Sequence, residues 1–159
     1  MAEHAELKID SAKALKMLSD LTERAKKTTE GDQKYLNLLS IVAFRDVNEH
    51  FQQEEGPDGA WTAWSDVYAD RISKRKNPPP PTKILKDSGN LRQNNMPGNV
   101  RNTSQGILFF NPAKTKSDFP YAYAHDEGGP ILPKRSFMWL SASALEDMAE
   151  QTLKFVTES

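Results

Sequence analysis

"QKYLNLLSIVAFRDVNEHFQQ" runs from Gln33 to Gln53. Its first half places Tyr35, Leu36, Leu38, Leu39, Ile41, Val42 and Phe44 on more than one side of a helix. A helix wetted along one face needs only a single apolar stripe. This segment is therefore expected to be central in the core or packed on a neighbouring subunit. Its second half keeps only Val47 and Phe51 as large apolar residues and is expected to reach solvent. Gly31 and Asp32 ahead of it read as a turn and a helix N-cap.

Working back toward the N-terminus, Ala14, Leu18, Leu21 and Ala25 recur at steps of four, three and four after Ser11, a candidate cap. That spacing predicts an amphipathic helix that fades at "KKTTEGD". Working forward, "GPDGAW" (Gly56 to Trp61) has turn chemistry. Trp61, Trp64 and Tyr68 could share one helical face. Ser65 to Lys76 has a helical pattern that ends in Arg71, Lys74, Arg75 and Lys76. A proline-rich connector follows at 77–82, because consecutive prolines cannot continue a helix.

"ILKDSGNLRQN" (Ile84 to Asn94) predicts a turn at Asp87 to Gly89 and one helical turn. "NVRNTSQGILFFN" predicts two short strands joined near Ser104 to Gly106. The unbroken apolar run Ile107 to Phe110 implies that both faces of the second strand are covered. A short helix is expected to open at Pro120 and stop at Gly128 and Gly129. The last helix, Ser143 to about Thr157, would open with Ser143 and Glu146 as a capping box and bury Leu145, Met148, Ala149, Thr152 and Val156. The sum is an α+β fold, a small antiparallel sheet packed against several helices in one domain over 1–159.

Composition narrows the function classes. The 159 residues carry a net charge of −1, so a general nucleic-acid surface is disfavoured. Hydrophobic residues make up 37% and the mean hydropathy is −0.70, a lean core that partner subunits could complete. There is no cysteine, which removes disulfides, zinc-thiolate sites and a thiol nucleophile. The stretch "MAEHAELKID" has no signal-like apolar segment, and no run is long enough to span a membrane.

His125, Asp126 and Glu127 are adjacent, so they cannot converge on one metal ion from a single helix or strand. His125 is expected instead to hydrogen-bond at the end of its helix. His4 and His50 fall in a tail and on a polar helix face. No hydrolase elbow, zincin motif or phosphate-cradling loop occurs, so neither catalytic residue, cofactor nor metal is assigned. The Arg71 to Lys76 run is either a solvated helix end, suited to the helix dipole, or a contact for DNA or an acidic partner. Trp61 and Trp64 are read as core residues, or as interface anchors if they lie outside it.

Four segments, in this order, resemble the phage virion morphogenesis family, the tail-completion proteins of Mu-like contractile-tailed phages. They are "VNEHFQQEEGPDGAWTAWSD" (Val47 to Asp66), "ILKDSGNLRQN", "YAYAHDEGG" (Tyr121 to Gly129) and "ILPKRSFMWLS" (Ile131 to Ser141). The "KRKNPPPPTK" spacer and Ser136, where the family often has proline, depart from its pattern. The resemblance implies a non-enzymatic virion subunit at the tail–neck junction, assembled in the host cytoplasm. It implies a ring, expected to be hexameric, that completes the tail tube and permits head–tail joining. The implied partners are further copies of the chain, tail tube protein, sheath protein and neck or head-closure proteins, with DNA only passing through the lumen. Arg135 would be offered to a neighbour and Phe137 planted in the core. Alternatives are a head-closure adaptor on the portal side and a nucleic-acid-binding module using Arg71 to Lys76.

Overall fold

The computed structural model describes residues 11–77, 84–86, 89–130 and 132–158. The connector expected at 77–82 lies outside them apart from Asn77, as does the Asp87 to Ser88 part of the expected turn.

Among the described residues the order is helix α1 (Ser11–Glu30), helix α2 (Gln33–Gln53), strands β1 (Glu55–Gly56) and β2 (Gly59–Ala60), and helices α3 (Asp66–Ser73) and α4 (Asn90–Gln93). Strands β3 (Val100–Thr103) and β4 (Gly106–Phe109) and helices α5 (Tyr121–Glu127) and α6 (Ala142–Thr157) follow. Both strand pairs are antiparallel, β1 with β2 and β3 with β4. The fold is α+β, built around α2.

α2 starts where Asp32 caps it, accepting from the backbone N–H groups of Lys34 and Tyr35. It ends at Glu54, whose φ of 57° breaks the helical path. In between, the apolar positions converge on one cluster of Phe44, Val47, Phe51, Trp61, Ile84, Leu91, Ala113, Ala122 and Phe137. Phe51 is its centre, with the Trp61 ring edge-on at 5.4 Å and the Phe137 ring tilted at 5.1 Å. A second set of contacts runs along α6, where the Tyr35 hydroxyl meets Thr152 at 3.0 Å and its ring lies 5.2 Å from Phe155.

The second half of α2 does not turn to solvent as its polar sequence suggests. Asp46 and His50 are buried, at 8% and 2% exposure. Asp46 accepts from the backbone N–H of Ser141 at 2.8 Å and from its hydroxyl at 2.7 Å. The Ser141 hydroxyl in turn caps α6 by accepting from the Ala144 N–H. The cap is thus Ser141 and not Ser143, because Asp46 fixes Ser141 in place. The stripe expected on α6 also differs, since Leu145 is 54% exposed and Ala144 is the buried residue. His50 Nδ1 donates to the Phe137 carbonyl at 3.1 Å, and its ring stacks on Trp139 at 4.0 Å, nearly parallel.

The β3–β4 hairpin is only half covered. Gly106 and Leu108 face out, against the expectation of two covered faces, and Phe109 meets Phe44 edge-on. Gly31, with φ of +75°, lets the α1–α2 turn sit against Asn102 of this hairpin, where a Cβ would come within 2.6 Å of its side chain.

Replacing Asp46 by Asn keeps the shape but removes a carboxylate that holds two donors of Ser141. We expect Asp46→Asn to lower stability by about 2–3 kcal/mol. Urea unfolding checks this; an unchanged midpoint would show that the bonds contribute nothing net.

Candidate functional site

A cleft of about 620 Å³ lies between the segment before α3, the start of α4, and α5 with the chain that returns after it. Three parts of the sequence build it, and each is placed by a local device.

Trp61 and Trp64 do not share a helical face. Both precede α3, in a run without turn or bend that ends at Ser65, the α3 cap. Trp61 goes inward, 7% exposed, and its indole N–H donates to the Ser136 carbonyl at 3.0 Å. Gly56 permits this approach, since a Cβ there would sit 3.0 Å from the same carbonyl. Trp64 instead lines the cleft, with Tyr68 of α3 edge-on at 5.4 Å.

α5 contributes Tyr121 and His125. It stops at Gly128, which takes a φ of +75°. A Cβ at Gly128 would lie 2.8 Å from the Lys134 backbone nitrogen. The bare glycine therefore lets the chain return close enough for the Arg135 N–H to donate to the His125 carbonyl at 2.9 Å. The acids of this stretch turn elsewhere. Asp126 accepts from the backbone N–H groups of Phe137 and Met138, at 2.8 and 2.9 Å, and so holds Phe137 in the core. Among the described residues no Asp or Glu lines the cleft, and no three His, Cys, Asp or Glu side chains are grouped to hold a metal.

Arg135, expected to face a neighbour, is turned inward and is 6% exposed. Its Nε donates to the Thr62 carbonyl at 2.9 Å and a terminal nitrogen to the Ala63 carbonyl at 3.4 Å. Burial pushes its pKa down from the ordinary guanidinium range, and Tyr68 opposes that. Among the described residues His125 does not make the side-chain hydrogen bond expected of it, and its buried Nδ1 has no partner there. Burial first, then the Arg135 charge, lowers its pKa below 6.5. A backbone corner at Leu85, with φ of +58°, closes another wall. Its described lining is thus aromatic and cationic.

The basic run lies at an exposed helix end. Arg71 lies over the Tyr68 ring at 5.0 Å, Lys74 pairs with Asp70 at 2.5 Å, and Arg71, Lys74, Arg75 and Lys76 are all exposed. Asp46 and His50 were missed in the sequence, although a signal exists: Val42, Asp46 and His50 step by four along the arc that carries Leu39 and Ala43.

Comparison with family models, curated proteins and solved structures finds no match.

Two outcomes follow. His125 should titrate below 6.5 in a histidine NMR titration. The unfolded chain then takes up this proton first. The group's contribution to stability is complete above 6.5 and is lost as the pH falls toward the folded value, so His125→Gln should flatten the acid side of the stability curve. A midpoint at or above 6.5 would contradict the burial. Separately, Gly128→Ala combines positive φ with a backbone clash and should cost at least about 2 kcal/mol in urea unfolding.

Proposed function

We propose that the chain is a structural subunit of a phage tail–neck junction, one that assembles with copies of itself and with tail tube protein to complete the tail. Two things support this reading. One is the ordered set of four segments between Val47 and Ser141, in which Gly56, Gly128 and Trp61 fix local geometry. The other, which carries the assembly part, is the surface of α1.

The described side chains from residue 12 to residue 20 of α1 are all exposed. They include Leu15, Met17 and Leu18, at 67, 58 and 60%. Among the described side chains of α1 only Leu21, Arg24 and Thr28 are half-buried, and Arg24 reaches the Val156 carbonyl in the last turn of α6. α6 adds Leu145 and Leu153, at 54 and 63% exposure, and α2 adds Ile41 at 57%. Exposed leucines on a helix held by one end are unusual in an isolated chain, whereas a ring subunit closes on its neighbour with such a surface. No described helix is long and apolar enough to cross a membrane, so the apolar residues of α1 do not form a spanning segment.

Native mass spectrometry of the chain with tail tube protein is expected to show a closed oligomer, and Leu15→Ser with Leu18→Ser should return it to monomer without lowering the unfolding midpoint. Monomer alone, with tube protein present, would count against the assembly. A head-closure subunit on the portal side would share this surface; an image of the intact neck separates the two by whether the chain touches the tube.

A further inference from the structure

The Arg135 guanidinium has five N–H bonds, and two are engaged, by the Thr62 and Ala63 carbonyls. Among the described residues no carboxylate pairs with it, although the residue is 6% exposed and lines the cleft. A buried cation without a counter-anion is costly, and a site that holds one favours an incoming anion. Beside it, the backbone N–H groups of Thr62, Ala63 and Trp64 make no hydrogen bond with any described group. They lie in a run without turn or bend, and Thr62 and Ala63 are exposed. Trp64, Tyr68 and Tyr121 also line the cleft. Among the described residues it thus combines an unpaired backbone edge, aromatic side chains and one positive charge without a carboxylate. Its volume of about 620 Å³ holds several side chains and exceeds what a single small anion would fill.

We propose that this cleft docks an extended peptide segment of another protein, which pairs with the Thr62–Trp64 backbone, delivers one carboxylate to Arg135 and lays an aromatic side chain between Trp64 and Tyr121. In an extended peptide, residues two apart share a face, so an aromatic and an acidic residue separated by one position meet the cleft together. The inference does not rest on the tail–neck reading. A chain that forms no ring can still bind the peptide, and a ring-forming chain can fail to.

The test is a 15N-resolved NMR titration of the full chain, dilute enough to be monomeric, with the capped pentapeptide acetyl-Val-Phe-Val-Glu-Val-amide. The expected result is saturable shifts at the Thr62–Trp64 amides and the Trp64 indole. Affinity should fall about tenfold when the peptide's Glu is replaced by Gln, a change made on the ligand so that folding is untouched. Trp64→Ala, checked for retained fold by circular dichroism, should weaken binding by a similar factor. Equal binding of the Glu and Gln peptides, shifts outside the cleft, or no shifts at millimolar peptide would each overturn the proposal. So would phenylacetate binding as tightly as the pentapeptide, which would mark the cleft as a small-molecule site.

Discussion

Both oxygens of the buried Asp46 carboxylate are turned to Ser141, the residue that caps another helix. That arrangement decides how the chain is put together. A buried carboxylate is tolerable only when donors surround it, so Ser141 must present its N–H and hydroxyl at that point and nowhere else. Once Ser141 is held, α6 has its cap and its starting direction. The Phe137 carbonyl just upstream meets His50, one turn beyond Asp46 on the same helix. Two consecutive turns of α2 therefore set the path of the segment from Phe137 to Ser141. That path brings Phe137 to the aromatic centre it forms with Phe51 and Trp61. The polar contacts give direction, and the apolar cluster gives most of the free energy.

Much of this was legible in the sequence, and the failures share a cause. α2 is plain because its apolar positions repeat on several sides and Asp32 marks its start. The glycine stop of α5 and the β3–β4 hairpin are plain because turn residues leave few choices. Asp46 and His50 misled because a polar residue on an amphipathic helix is ordinarily wet, and only its partners, nearly ninety positions or more downstream, say otherwise. Ser141 lost to Ser143 as the cap for the same reason, since local spacing favoured one and a distant carboxylate selected the other. Trp61 and Trp64 suggested a shared helical face, but Ser65 starts the helix after them and sends the pair to opposite destinations. The cleft was illegible as a whole. Its walls come from segments near residues 62–68, 85–91 and 121–135, and no spacing rule joins these.

The stretch from Tyr121 to Phe137 shows how one short segment divides its polar groups. Asp126 turns one carboxylate oxygen to the backbone N–H groups of both Phe137 and Met138, and among the described residues it makes no bond to the His125 ring. His125 is left with an unsatisfied ring nitrogen beside a cation, and Arg135 is left with carbonyls in place of a carboxylate. A histidine, an acid and an arginine within a few residues look like a reactive set. The backbone instead separates them into a brace and a positively polarised wall.

The free end of α1 has a thermodynamic consequence. A helix of ten residues or so is marginal on its own in water, because nucleation costs more than a few turns return. Any surface that came to cover Leu15, Met17 and Leu18 would therefore have to hold those turns wound as well as bury them. The exposed leucines would in that case set a threshold of contact, below which a small patch returns less than the winding costs.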